Sequence, residues 1–379
     1  MKSKDSFPGR LALQQRVLPA YRAPFFDLLA QSCEGGLSLF AGLPRPGEGI
    51  TPAKGLHFAK HVLAQNIHLL AGAFYLCYQR GLIDWLAAWN PDALIMEANP
   101  RYLATSSAVK WMHTRGRRVI GWGLGAPPPL SSPHLQRKWG ESQGGVLSGF
   151  RQTRRVHFLN QFDALISYSR RGADEYAALG FPREKIFVAP NAVAPAPKSR
   201  PDDRPRTTDH ISILFVGRLQ ARKRVDLLLR ACAELNQNLR LIVIGDGPER
   251  ERLESLARRV YPAAEFIGAK HGDELKPYFA QADLFVLPGT GGLAVQEAMS
   301  HGLPVIVAKG DGTQDDLVRE SNGWQIPPDD YAALVSALRM ALSDVPRLRR
   351  MGTESYRIVS EEINLEKMVE IFVSALNSL

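Results

Sequence analysis

The chain is 379 residues long, 45% hydrophobic and 22% charged, with 47 Lys and Arg against 38 Asp and Glu for a formal charge of +9. That length is comfortable for two domains, each with its own core, and the composition is that of a globular protein. Three widely spaced cysteines, Cys33, Cys77 and Cys232, exclude a disulfide framework and a CxxC metal or redox pair, and fit a reducing cytoplasm.

The amino terminus, MKSKDSFPGR, has no apolar core behind its lysines, and the longest weakly polar run, Leu69 to Tyr78, is far too short to span a bilayer. The expectation is a soluble cytoplasmic protein or one held peripherally at the inner membrane face. The basic excess belongs to the first half, where residues 1–209 carry 27 Lys and Arg against 15 Asp and Glu. Such a surface suits anionic lipid, a phosphorylated substrate or nucleic acid, and equally an ordinary solvated face.

Residues 10–17 read as a first strand, followed by a loop entering a helix near Ala23. Tyr21 and Arg22 leave the strand's C-terminal end, which faces the ligand crevice in open parallel sheets, so both are candidate cleft residues. From Leu56 to Trp89 the sequence has little Pro or Gly and reads as helix-permissive, ending in a helix from Gly81 to Trp89. His57 and His61 have helical i, i+4 spacing but no third ligand, and read as surface residues rather than a metal site. A strand from Asp92 to Met96 delivers Glu97 and Asn99 to the crevice edge. A helix from Tyr102 to Thr114 leads to a strand from Val119 to Trp122, with Trp122 at its end.

Between Leu135 and Gln161, Arg137, Lys138, Arg151, Arg154 and Arg155 are interleaved with Trp139, Phe150 and Phe158, and Phe162 follows. This reads as a helix with one solvated basic face, with a membrane interface or an anionic acceptor as the alternative. Strands at Ala164 to Tyr168 and Ile186 to Ala189 flank a helix from Arg171 to Leu179, and Asn191 follows as a further cleft candidate. Alternating strands and helices predict a parallel sheet covered on both faces.

Pro195 to His210, rich in proline and charge, reads as a linker. Beyond it, strands at Ile211 to Val216, Leu239 to Gly245, Glu265 to Gly268, Ala282 to Leu287 and Leu303 to Val307 alternate with helices, predicting a second doubly wound domain. Its first strand ends in Gly217-Arg218-Leu219, and Arg222-Lys223-Arg224 opens the next helix. After the fourth strand, Gly289, Gly291 and Gly292 form a turn before a helix carrying Glu297. Amides of Gly291, Gly292 and Leu293 at that helix start, facing Arg218 and Lys223, suit a diphosphate, and Glu297 suits paired sugar hydroxyls. GDGPE at Gly245 to Glu249 reads as a strand-capping turn rather than a nucleotide fingerprint, and Asp315 and Asp316 as helix-start residues.

GRLQARKRVDLLLRA, LIVIGDGPERERL, FIGAKHGDELKPYFAQADLFVLP and GGLAVQEAMSHGLPVI together resemble the second domain of family 4 glycosyltransferases, in detail over residues 211–345. The resemblance implies an α/β protein of the GT-B fold, two Rossmann-like doubly wound domains facing a cleft. Residues 1–194 would bind the acceptor, 195–210 would be the linker, 211–355 would bind the nucleotide sugar, and a closing helix in 356–379 would cross back to the first domain. It implies retaining transfer of a sugar from a nucleoside diphosphate sugar to a saccharide or lipid-linked hydroxyl acceptor, in cell-envelope polysaccharide or glycolipid synthesis. Arg218 and Lys223 would neutralise the leaving diphosphate, Glu297 would bind the ribose, Ile267 and Gly268 would lie near the base, and Gly291, Gly292 and Leu293 would offer amides. No cofactor or metal is implied, there is no DxD motif, and nucleic acid is not an expected partner. Two departures stand out: Gly289 occupies the position, eight before Glu297, of an acidic residue usual in the family, and LPAYRAPF replaces the glycine-rich loop usual after the first strand. Two other readings stay open, a nucleotide-sugar epimerase of the same fold and a non-catalytic nucleotide-sugar-binding protein.

Overall fold

A computed structural model describes residues 6–126, 146–199, 210–235, 239–310 and 312–379, with the main chain alone at 73 and 146–152. The chain forms two compact units, one built from residues 1–193 together with 365–379, the other from residues 194–364. The first unit therefore closes at Leu365, later than the boundary at 356 expected from the sequence. Residues 345–361 form a separate helix of the second unit.

The first unit is organised around β1 (Leu11–Val17), whose residues are buried on both faces apart from partial exposure at Arg16. β2 (Leu37–Gly42) and β3 (Lys60–Leu63) lie to one side of it. β6 (Ala93–Glu97), β7 (Arg118–Gly123), β8 (Ala164–Ser167) and β9 (Ile186–Val188) lie to the other. All pairings in this seven-stranded sheet are parallel. Parallel strands need crossovers, and α1 (Ala23–Gln31), α2 (Leu82–Trp89), α3 (Thr105–His113), α4 (Val146–Leu159) and α5 (Arg170–Ala178) supply helices between them.

The stretch from Leu56 to Trp89, expected to favour helix, becomes α2 only at Leu82. Before it come β3 and a separate antiparallel hairpin of β4 (Gln65–Leu69) and β5 (Leu76–Arg80). His61 lies in β3 with its Nε2 3.0 Å from the Ala41 carbonyl, so the i, i+4 histidine spacing has no helix beneath it. His57 sits in a preceding loop whose amides at 57, 58 and 59 all donate to the Asp27 carboxylate, at 2.8 to 3.3 Å. In the basic stretch, Arg137, Lys138 and Trp139 and the side chains of Phe150 and Arg151 lie outside the described residues. Phe158 and Phe162 point inward and pack edge to face at 5.5 Å in the core, which removes them from any interfacial role.

The second unit is a six-stranded parallel sheet in the order β12-β11-β10-β13-β14-β15. The ranges are β10 (Ile211–Val216), β11 (Leu239–Ile244), β12 (Glu265–Gly268), β13 (Leu284–Leu287), β14 (Val305–Ala308) and β15 (Gly323–Ile326). Its central strands are short runs buried on both faces, which is why they read directly as strands. α6 (Val225–Leu235) buries Val225, Leu228, Leu229 and Cys232, one stripe at helical spacing. The remaining helices are α7 (Arg250–Val260), α8 (Lys276–Gln281), α9 (Ala294–Ser300), α10 (Thr313–Leu317), α11 (Tyr331–Ser343) and α12 (Val345–Glu361). The last helix, α13 (Leu365–Asn377), returns to the first unit, where Phe372 meets Phe25 and Trp122, each at 4.9 Å.

Candidate functional site

Counted from its own first strand, the second sheet runs third, second, first, fourth, fifth, sixth. The order reverses between β10 and β13, and in open α/β sheets ligands bind outside the carboxyl ends of the strands at this point. The loops leaving β10, β11 and β12 are tied there by backbone bonds: Gly217 N–H to the Ile244 carbonyl at 2.9 Å, Leu219 N–H to Asp246 at 2.8 Å, and Gly245 N–H to Gly268 at 2.8 Å. Gly245 has no room for a side chain, since a Cβ would lie 1.9 Å from the Gly217 carbonyl oxygen. GDGPE is thus a turn shaped by close backbone approach, as its composition suggested.

The turn after β13 meets the basic segment after β10 directly. Thr290 N–H donates to the Arg222 carbonyl at 3.1 Å. The Lys223 ammonium donates to the carbonyls of Thr290 at 2.9 Å and Gly291 at 2.7 Å. Burial, reinforced by neighbouring Arg222, pulls the Lys223 amine down to about 8. Among the described residues its charge is held by carbonyl dipoles with no carboxylate bound to it, which suits an incoming anion. Arg222 lies over the same turn, with Nη1 3.4 Å from the Thr290 carbonyl. Arg224 is diverted to Asp226 and Asp329. The run of three bases signalled Arg222, but spacing alone did not separate it from Arg224. Arg218 is exposed on the β10 loop.

Gly289 is explained by the same contact. A Cβ there would lie 2.1 Å from the Arg222 carbonyl and 2.5 Å from Lys223 Cα, so an acidic side chain has no room unless the basic segment moves. Gly291 has φ +68°, and Leu293 caps α9 with its side chain partly exposed. Glu297, one turn into α9, is half-buried, and burial raises its carboxyl above the ordinary range. Its backbone carbonyl accepts from His301, whose ring stacks on Phe279 at 4.8 Å in a packing role. Ile267 and Gly268 end β12, where the Gly268 carbonyl holds the Gly245 amide. Asp315 and Asp316 occupy the first turn of α10.

The first sheet has the same reversal, between β1 and β6. Arg22 is buried there and its guanidinium donates to the Ala192 carbonyl at 3.1 Å and to the Asn191 side chain. The rings of Tyr21, Trp122 and Tyr168 lie 5.4 to 5.5 Å from it. Four expected residues, Tyr21, Arg22, Trp122 and Asn191, thus meet at one point. Trp122 is buried in the core and Arg22 is enclosed, while Tyr21 stays exposed. Glu97 ends β6 with Oε2 accepting the Arg16 amide at 2.6 Å. Burial pushes its carboxyl up to about 7 against that hydrogen bond. Asn99 accepts the Arg101 amide at 3.1 Å and shapes the turn. Among the described residues no group of three His, Cys, Asp or Glu could hold a metal ion, and no helix is long and apolar enough to cross a membrane.

Two doubly wound parallel sheets of this order are of the Rossmann type, and the chain has the fold of GT-B glycosyltransferases. Residues 199–358 match the family model described as glycosyl transferases group 1. The chain is 36% identical over 156 residues to the sulfoquinovosyl transferase SQD2 of Arabidopsis thaliana, covering 38% of this chain and 30% of that protein. It is 30% identical over 233 residues to the putative colanic acid biosynthesis glycosyltransferase WcaL of Escherichia coli K12, covering 57% of each. The chain therefore spans about half the length, or less, of these curated relatives. Anabaena Alr3699/HepE in complex with UDP superposes with a TM-score of 0.66 at 16% identity, over 98% of this chain and 100% of that one, a likeness of fold.

Proposed function

We propose that the protein is a retaining, family 4 glycosyltransferase that moves a sugar from a nucleoside diphosphate sugar to a hydroxyl of a saccharide or lipid-linked acceptor. The observation that carries this reading is the anion-ready turn at the second sheet's reversal point. There Lys223 and Arg222 lie against the Thr290–Gly291 backbone, and Arg218 leaves the adjoining loop. In the reaction the bond from the anomeric carbon to the diphosphate oxygen breaks, the acceptor oxygen takes its place on the same face, and the acceptor's hydroxyl proton passes to the departing diphosphate. Negative charge collects on the departing diphosphate, where Arg218 and Lys223 stabilise it without a metal. Glu297 binds the ribose, Ile267 and Gly268 border the base, and Gly291, Gly292 and Leu293 contact the sugar or phosphate.

The second unit is the donor domain and the first the acceptor domain, with Tyr21, Glu97 and Asn99 at its crevice edge. The packing that excludes a side chain at Gly289 supports a subgroup that positions the sugar through backbone amides. The family match, the relatives named for polysaccharide and sulfoquinovosyl transfer, and the UDP-bound fold neighbour support an acceptor in envelope polysaccharide or glycolipid synthesis. The basic first half supports peripheral work at an anionic inner membrane face.

Calorimetric titration of UDP, GDP and ADP into the protein and into Arg218→Ala tests the reading. Saturable binding of one nucleotide, weakened in the variant, is expected and names the donor base. Binding of none overturns it.

A further inference from the structure

The β4–β5 hairpin has its faces reversed. A strand pair resting on a soluble core ordinarily turns apolar side chains in and polar ones out. Here the inward side chains are Asn66, His68 and Gln79, with the buried thiol of Cys77. Asn66 donates to the Arg16 and Leu43 carbonyls at 2.7 and 3.1 Å. Gln79 donates to the Gln15 carbonyl at 3.0 Å and to Asn66 at 2.9 Å, and accepts from Gln14 at 2.5 Å. His68 bonds the Tyr75 hydroxyl at 2.9 Å. Gln65 and Arg80 face outward at the open end, and beyond them come Leu76, Ile67, its cross-strand partner Tyr78 and Leu69, the last three exposed. A one-residue slip would bury them, and the buried polar bonds forbid that slip.

The loop extends this apolar face. Leu70 is 68% exposed and Phe74 is 76% exposed. Leu70 also has φ +58°, a left-handed conformation that hairpin loops ordinarily give to Gly or Asn. A leucine there is disfavoured by its backbone and gains no burial within the chain, so its side chain acts on something outside it.

Charge selects the occupant. From Leu43 to Arg80 the sequence has four cations, Arg45, Lys54, Lys60 and Arg80, against one acid, Glu48, which is paired with Arg16 and Arg45. An apolar tip set in a cationic segment matches the boundary between acyl chains and anionic headgroups. We propose that the β4–β5 hairpin docks the protein on an anionic phospholipid bilayer, with Leu69, Leu70 and Phe74 entering the acyl boundary and the flanking cations meeting headgroups. This rests on the membrane-facing reading above and names the element that makes the contact.

Flotation of the full chain with vesicles of phosphatidylcholine, with and without phosphatidylglycerol, at low and high salt, tests it. Binding is expected with phosphatidylglycerol at low salt, weaker in its absence or at high salt. Leu70→Asn suits the left-handed backbone, so it and Phe74→Ser should lower vesicle partition about tenfold with no loss of thermal stability. Phe74→Trp fluorescence should be quenched by brominated acyl chains. Variants that float like the wild type would place the contact elsewhere and overturn the hairpin while leaving the membrane reading intact. No flotation of the wild type overturns both. Concentration-dependent dimerisation abolished by the same variants, without flotation, would assign the face to a second copy instead. The nucleotide titration is untouched by any of these outcomes, so the donor reading fails or stands separately.

Discussion

The two sheets reverse strand order at equivalent points, yet they treat charge there in opposite ways. In the second unit, among the described residues, Lys223 is held by the Thr290 and Gly291 carbonyls and Arg218 is exposed on the loop after β10. In the first unit Arg22 is enclosed by Asn191, the Ala192 carbonyl and aromatic faces, and Glu97 has a carboxyl that burial drives toward neutrality. One topology thus holds an exposed arginine and a carbonyl-bound lysine at one reversal point and an enclosed arginine beside a carboxyl driven toward neutrality at the other. The difference lies in which loops pack over the reversal point.

The widest expected separation between the two points is in turnover. Arg218→Ala should lower kcat/KM with the nucleotide sugar about 10²-fold, about 3 kcal/mol of transition-state stabilisation, with an unchanged unfolding midpoint. Activity near wild type would break the contrast. Arg22→Ala should do the reverse, costing about 2–3 kcal/mol of stability in urea unfolding because Asn191 and Ala192 lose a buried donor, with nucleotide affinity intact. Loss of affinity at unchanged stability would make Arg22 a ligand residue after all.

Glu97 gives a smaller, pH-dependent effect. Its folded carboxyl keeps a proton up to about 7, while the unfolded one releases it near 4.5, so this group's contribution to stability falls as pH rises through that window. Glu97→Gln should therefore stabilise by about 1–3 kcal/mol above the window and by nothing below it, read from unfolding at several pH values. The smallest effect concerns Lys223, whose amine loses its proton from about 8 upward. Nucleotide affinity should weaken by about three- to tenfold per pH unit beyond that point, with proton uptake on binding visible in buffers of different ionisation heat. Lys223→Met should bind weakly with that pH dependence gone.

The second unit was legible because its central strands β10, β11, β13 and β14 are short, mostly apolar runs followed within two residues by glycine, and the glycine turn, basic segment and Glu297 follow those strands. Sequence singled out Lys223 but not Arg222, because only the fold shows that Arg222 lies over the turn while Arg224 leaves for Asp329, a residue distant in the chain. Nor could it show that Gly289 is excluded from carrying a side chain by the Arg222 backbone. In the first unit the hairpin was hidden. Its alternation signals which face is apolar, not which face is inside, and Asn66, His68 and Gln79 turn in only because β1 and neighbouring loops offer them partners. Trp122 sits where a crevice residue was expected, but Phe25, Phe26 and Phe372 cover it.

Phe372 also fixes an order of events during synthesis. The second unit is continuous in sequence and is complete once Asn364 has emerged. The first unit, though translated earlier, waits for α13 to cover Phe25 and Trp122. Until then its aromatic face is open to water and to other chains, so the half made first is the half finished last. A nascent chain stalled before Leu365 would carry a finished second unit beside an unsealed, aggregation-prone first one.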